Sequence, residues 1–455
     1  MSENNNERKF IYRVLDVFDF EGSSDLGTVG IVKGTIERND TIFIRNYGDD
    51  DDEIVTSSIF AMDIDHKDAQ TATDCFVALR VRQGLKENIK PGSVFFSSED
   101  VTDEEIREAY IDAIAGSYVG KRDLEIYDSE LKKMSLTDCS EAWRIFCRVH
   151  EKDEDLSDDK IKDFRRKIAV VAGAMAKKVL AADEIYYIKN KLTNEPHMFS
   201  KTSNRNGEFI FSPPEIHIFT KPYKKYGDNY PEDKFEIVKV ENGEDGEGIK
   251  RFLTDALYLN GALGVRVNYE IVGISAELFF KNPYNPELKE NANVVTNPEL
   301  VRWMLLRAQI GKPESDDEQM IAKLYFRFFS YALVKARFLI PGKPVDPNEA
   351  PTRVEGDAIE SKVQFPIMVG PDGGRNVMFL YTDAKRMFMN YDRSFGGFIQ
   401  TLDNFIDKFD CAINSAKNFG AGFLATKDVY DAMKALIDAE EARAKIDGEK
   451  NSDKE

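Results

Sequence analysis

Side chains that titrate near neutral pH are scarce in this chain, where the histidines are His66, His150, His197 and His217. General acid–base catalysis at neutral pH leans on histidine, so few such sites can be built. His217 lies between Ile216 and Ile218, which places it on the opposite face of a strand from both and favours a structural role. Cys139, Cys147 and His150 are close together, but their C-x7-C-x2-H spacing is not that of a zinc finger or knuckle. Cys147 also falls on the apolar side of a helix containing Trp143, so no metal is expected. Neither a G-x-S-x-G nucleophile elbow nor a G-x-x-x-x-G-K-[ST] phosphate loop occurs. No nucleotide, no cofactor and no catalytic residue are expected. Gly370 to Gly374 lies between two alternating apolar runs and reads as a hairpin turn.

Two polar pairs can be argued twice: Thr220 with Thr382, and Asn268 with Asn414. A threonine at a strand end before a helix-forming stretch is an expected N-cap, and an asparagine there bonds its own turn. Open α/β sheets hold ligands at strand ends, so Thr220, Asn268, Thr382 and Asn414 are the candidate ligand-binding residues.

The elements that position these four residues come twice. The two tryptophans, Trp143 and Trp303, each open a long segment, and equivalent positions are offset by 160 at Trp, 158 at Ser157 and Ser315, and 162 at the threonines. In the first copy Ile161, Phe164, Ile168, Val171, Met175 and Val179 form one helical face, and in the second Met320, Leu324, Phe328 and Tyr331 do. The helices run into strands at Ile185 to Ile188 and Arg337 to Pro341. A hairpin is expected next, from Phe209 and Phe211 through Ser212-Pro213-Pro214 to Ile216 and Ile218, and from Val363 to Val369 back through Val377, Phe379 and Tyr381. A helix, an Asn-terminated strand and a glycine-spaced strand (Gly273 to Phe280, Gly420 to Ala425) should follow.

Residues 9 to 97 read differently. Six short β-rich runs, Phe10 to Val17, Val29 to Val32, Thr41 to Ile44, Ile54 to Met62, Phe76 to Val81 and Ser93 to Phe96, are separated by turn residues and predict a small closed barrel. Glycine suits the turns at Gly34 and Gly92, and Asn39 tolerates the same left-handed backbone. The run Gly30 to Ile44, with Ser58-Ile59, Ala72-Thr73-Asp74, Val77-Ala78-Leu79 and Ile89 to Val94, resembles the second domain of translational GTPases of the elongation factor Tu type. Without a phosphate loop, the resemblance implies a barrel used alone as a scaffold or docking surface.

The duplicated segment resembles the SseB (enhanced serine sensitivity) family. Carrying this are Asn297-Pro298-Glu299-Leu300, Phe338-Leu339-Ile340-Pro341, Phe379 to Asp383, Ala412-Ile413-Asn414-Ser415 and Gly422-Phe423, and in the first copy Ile218 to Lys221 and Val267-Asn268-Tyr269. The resemblance implies an α/β fold without established catalysis.

The expected fold is multidomain: an all-β barrel (1–98), a helical connector (99–134), two tandem α/β (α+β) modules (135–290 and 291–439) and a fraying polar tail (440–455). Net charge is −19, and the acidic runs at Asp49 to Glu53, Glu151 to Asp159 and Glu241 to Glu247 read as solvated loops. Such a field repels polyanions, so direct nucleic-acid binding is not expected. No apolar run spans a bilayer, and the polar start, with scattered Cys75, Cys139, Cys147 and Cys411, suggests a cytoplasmic protein with reduced thiols and no membrane contact. The function expected is a non-enzymatic, bivalent adaptor with a protein partner. The alternative is an accessory translation factor contacting a ribosome, GTPase or tRNA through the barrel.

Overall fold

Alternating apolar residues in the N-terminal runs close into a ring. A computed structural model describes residues 10–20, 25–45, 54–81, 93–97 and 157–452, apart from 206–207, 223–229, 269–272, 346–362 and 371–373, with isolated positions between 89 and 143. The chain divides into two compact units, Met1–Val179 with Glu270–Val272, and Leu180–Tyr269 with Gly273–Glu455.

The first unit holds β1 (Phe10–Asp19), β2 (Leu26–Glu37), β3 (Thr41–Arg45), β4 (Val55–Ile64), β5 (Lys67–Ala69), β6 (Thr71–Thr73), β7 (Phe76–Val81) and β8 (Val94–Phe96). Pairing runs β1–β8–β3–β4–β7–β2 and returns to β1, giving a closed six-strand antiparallel barrel with β5 and β6 as extensions. The six expected runs are its six strands. Tyr12, Val14, Val32, Ile42, Ile44, Ile59, Val77 and Phe95 point inward, each large side chain contributing roughly 1.5–3 kcal/mol by leaving water. A hydroxyl in such a core needs partners, and that of Tyr12 reaches Thr28 Oγ1 and the Val77 carbonyl, each at 3.2 Å. Burial raises its pKa well above the phenol range.

The turns follow the sequence. Gly34 has φ +88° and Asn39 φ +75°, both in the left-handed region. Asp74 Oδ1 accepts from Gly34 N at 2.8 Å, and Asp74 N donates back to the Gly34 carbonyl at 3.1 Å. Gly92 lies outside the described residues, as does most of the expected connector. Helix α1 (Asp158–Leu180) opens on Asp158 and Asp159 and ends on Lys177 and Lys178, charges that suit its dipole. Of its expected apolar face, Val171, Met175 and Val179 are buried, while Ile161, Phe164 and Ile168 are half-buried.

The second unit begins with β9 (Glu184–Asn190), β10 (Glu195–Pro196), β11 (Met198–Phe199), β12 (Thr202–Arg205), β13 (Glu208–Phe211), β14 (Glu215–Phe219) and β15 (Phe235–Glu241). It continues with α2 (Gly248–Thr254), a π turn (Asp255–Leu259), β16 (Gly264–Val267), β17 (Ile274–Ser275) and α3 (Ala276–Phe279). Then come α4 (Pro298–Ile310), α5 (Asp316–Lys335), β18 (Arg337–Pro344), β19 (Val363–Gln364), β20 (Ile367–Met368) and β21 (Val377–Leu380). Last are α6 (Ala384–Phe388), β22 (Gly396–Thr401), β23 (Asp410–Ile413), β24 (Phe423–Ala425) and α7 (Lys427–Ser452).

Strand pairings in this unit follow one scheme twice. The first set runs β15–β9–β14–β16–β17, with β10 on β9 and β11 on β14. In the second set β22, β18 and β19 pair, and β20, β21, β23 and β24 pair, with β18 bridged to β21 at Leu339 and Tyr381. The parallel pairs are β14–β16 and β21–β23.

Several local expectations are corrected. β13 does not pair with β14; it pairs with β12, because Pro213 and Pro214 have no N–H to offer a ladder, and the base of that hairpin is closed by Ser212 N donating to the Lys201 carbonyl at 2.8 Å. In the second set Pro366 splits the expected strand: β19 joins β18, and only Ile367 and Met368 pair with β21. The strand expected from Gly273 to Phe280 has two residues, then yields to the helix-forming Ala276 to Phe279. In α5 the buried face is Tyr325, Phe329 and Leu333, whereas Met320 is exposed. That rotation sets Phe328 against Trp303 of α4, with ring centres 4.7 Å apart. α7 continues past Ala439, where Glu440 accepts from Arg327 Nε and the Tyr331 hydroxyl, both at 2.8 Å. The acidic run, by contrast, is the exposed loop expected: residues 242–247 turn between β15 and α2, with Arg251 on Asp245 at 2.6 Å.

Candidate strand-end site

The four candidate residues are one another's partners. β14 and β16 run side by side until Ile218 faces Val267, and β21 and β23 until Leu380 faces Ile413. The residues that follow sit together at the strand ends. Asn268 and Asn414 both turn into the left-handed region at φ +51°, which asparagine tolerates better than most residues. Their backbone N–H groups donate to the carbonyls of Ile218 at 3.0 Å and Leu380 at 2.8 Å. Each side-chain Oδ1 then accepts from threonine across the strands: from Thr220 N at 3.1 Å and Oγ1 at 3.3 Å, and from Thr382 N at 2.9 Å, with Thr382 Oγ1 lying 3.1 Å away. The asparagines thus tie two strands together instead of bonding their own turns.

The two sites differ in closure. Thr220 and Asn268 are half-buried, whereas Thr382 and Asn414 are buried completely. Asn414 Nδ2 donates to Thr382 Oγ1 at 2.9 Å, and Asn297 Nδ2 donates to the Thr382 carbonyl at 2.8 Å and to that of Arg337 at 2.7 Å. Nor is Thr382 the cap of α6. Asp383 takes that role, its Oδ1 accepting from Arg386 N at 2.9 Å, because the Thr382 hydroxyl is turned to Asn414 and to Asp383 Oδ2 at 2.8 Å. The helix expected after Thr220 falls on residues outside those described.

Asp383 leads to a cluster that the sequence did not reveal. Arg386 is fully buried and ion-paired through Nη1 to Asp383. Its Nη2 donates to Asn260 Oδ1 at 2.5 Å and lies 3.8 Å from Glu195, while Asn260 Nδ2 donates to Glu195 Oε2 at 2.8 Å. The guanidinium also lies over the Phe419 ring, 4.6 Å from its centre. A buried charge is tolerated only with such partners. Glu195 and Asn260 belong to the first strand set, Asp383 and Arg386 to the second, so the cluster fastens the two. Lys385 on Asp255 at 2.8 Å and Gly420 N on the Thr193 carbonyl at 3.1 Å add to the same seam. Gly261, with φ +81°, lets α4 approach: a Cβ there would lie 2.0 Å from the Pro298 carbonyl oxygen.

Other titratable groups are disposed for packing. His217 is buried and stacks on Phe199 with ring centres 3.7 Å apart, and burial lowers its pKa to about 3, helped by the charge of Arg266. Burial likewise lowers His197 to about 4. Both rings are neutral at pH 7 and too weakly basic to serve as general bases there. The Cys411 thiol is pushed up to about 12 by burial and then by Asp410, against the opposing charge of Arg375, which makes it a poor nucleophile. Cys139 is buried and in no disulfide; Cys147 and His150 lie outside the described residues. Among the described residues no group of three or more His, Cys, Asp and Glu could hold a metal, and no helix is long and apolar enough to cross a membrane.

No family model matches this chain, and no curated protein matches it. Among solved structures it is similar to translation elongation factor SelB from Methanococcus maripaludis in its apo form, with 12% identity over 21% of this chain and 20% of that one and a TM-score of 0.18. The same factor in complex with the GTP analogue GppNHp gives 13% identity over 22% and 21% of the two chains, also with a TM-score of 0.18. The matched portion is about a fifth of SelB's length.

Proposed function

We propose that this chain is a non-enzymatic cytoplasmic adaptor that binds protein partners through a barrel and two tandem SseB-like modules. The observation that carries the reading is the filling of the strand ends. Open α/β sheets normally hold ligands there; here Thr382 and Asn414 are buried against one another, and the adjoining charges of Arg386, Asp383 and Glu195 are spent on each other. The matching pairing schemes support the tandem reading, and the Arg386 cluster supports it further by joining the two strand sets. In-cell crosslinking followed by mass spectrometry tests this. Crosslinks to a small set of proteins are expected, and crosslinks to RNA without protein would overturn the proposal.

A second reading is an accessory translation factor that contacts a ribosome, GTPase or tRNA through the barrel. It is favoured by the closed six-strand ring and the Gly34 and Asn39 turns in the segment that resembles the second domain of elongation factor Tu. Ribosome cosedimentation abolished by Arg80→Glu, Arg82→Glu and Lys90→Glu together, with circular dichroism unchanged, would make this the leading account. Cosedimentation unaffected by the three changes would remove direct RNA contact from it.

A further inference from the structure

The barrel wall carries a groove that is open among the described residues. It has a volume of about 530 Å3 and is floored by Phe18, Phe20, Met62, Phe76 and Leu79. Phe18 is 39% exposed and Phe76 56%, unusual for large aromatic residues with a core within reach. The volume falls within the range of small binding sites and accommodates one or two large side chains.

The rim is acidic, and its charges are unevenly spent. Arg80 is held by Asp25 at 2.7 Å and lies over Phe20, 4.6 Å from the ring centre. Asp68 is held by Arg38 at 2.6 Å. Asp63 and Asp65 have no cationic partner among the described residues, although both line the groove. The β4–β5 hairpin that presents them is tight. Its two turn residues, Asp65 and His66, stand at φ +50° and +63°, a left-handed pair that aspartate and histidine tolerate better than most residues, and the tight two-residue turn fixes the Asp65 backbone at the rim.

We infer that this groove docks a partner-protein segment in which an aromatic or aliphatic side chain is flanked by Lys or Arg. The apolar side chain fills the space between Phe18 and Phe76. The cation meets Asp63 and Asp65 and can lie over an aromatic face. Charge complementarity selects this occupant over an anionic one: residues 1 to 100 hold 11 Lys and Arg against 20 Asp and Glu, a field that repels phosphates. The inference rests on the adaptor reading and supplies the chemistry of its partner.

The test uses the full chain with fluorescein-labelled, amidated pentapeptides alternating Lys with Phe or Glu with Phe, and a single-stranded RNA of similar length. The Lys–Phe peptide should bind with a Kd on the order of 100 μM and weaken about tenfold with Asp63→Asn/Asp65→Asn. Phe76→Ser, at an exposed site, should weaken it about fivefold, roughly the loss of one apolar contact. Asp158→Asn/Asp159→Asn removes the same charge from α1 and should leave binding within about twofold. Equal losses in this control, absence of binding, or preference for the RNA or the Glu–Phe peptide would overturn the inference. In-cell protein crosslinks that persist while the peptide fails would discard the groove and keep the adaptor; loss of protein crosslinks in the wild-type chain would discard the adaptor itself.

Discussion

Replacing Arg386 by methionine removes a guanidinium that is fully buried, while preserving most of the side-chain volume. Asp383, 1% exposed, and Glu195, 6% exposed, are then left without their cation. Breaking a buried pair by removing one partner costs about 3–5 kcal/mol, because the surviving charge stays desolvated. At about 2–4 °C per kcal/mol for a domain of this size, the melting temperature should fall by about 6–20 °C. Circular dichroism melts at pH 7 read this directly. The triple variant Arg386→Met/Asp383→Asn/Glu195→Gln neutralises what the single one orphans and should recover at least about half of the loss. A fall below about 2 °C, or a triple variant no more stable than the single one, would refute the idea that this cluster fastens the two strand sets.

Three further outcomes follow from the same geometry. Thr382→Val should cost about 1–3 kcal/mol by stranding Asn414 and Asp383 in a buried site, and Thr220→Val about 0.5–1.5 kcal/mol at its half-buried counterpart; urea unfolding that ranks them the other way would contradict the closure described here. His217 is neutral in the folded state down to about pH 3, whereas an unfolded histidine takes a proton below about 6.5, so stability is full above that value and lost as pH falls. His217→Phe should therefore remove about 2 kcal/mol of the stability lost between pH 7 and 5, and an unchanged pH slope in urea titrations would count against it. Asn414→Ala should be less stable than Asn414→Gly by roughly 1 kcal/mol, since alanine adds left-handed strain to the same lost hydrogen bonds; equal stabilities would mean that the φ of +51° does not matter.

What could be read from sequence was local. The barrel strands were legible because alternation and turn residues act within a few positions, as at Gly34 and Asn39. The repeated Thr and Asn positions were legible as a pattern but not as pairs, since the Thr382–Asn414 bond joins strands 32 residues apart. Asp383 as the cap was hidden behind a threonine of nearly equal capping propensity, and only the competing bond to Asn414 decided between them. The Arg386 cluster spans 126 residues to Asn260, and no periodicity encodes such a meeting. Pro366 and Pro213-Pro214 were visible, yet the alternation around them outweighed their missing N–H donors in the hairpin reading. The groove is not legible in sequence because Phe18 and Phe76 look like ordinary strand aromatics until their faces are known.

The central claim, that this chain works by binding protein, is tested most directly by purifying the tagged full chain from its native cells with and without nuclease and weighing both fractions by mass spectrometry. Co-purifying proteins should persist within about twofold while RNA is lost, as a field of net charge −19 requires of contacts made without nucleic acid. Partners that leave together with the RNA would contradict the account.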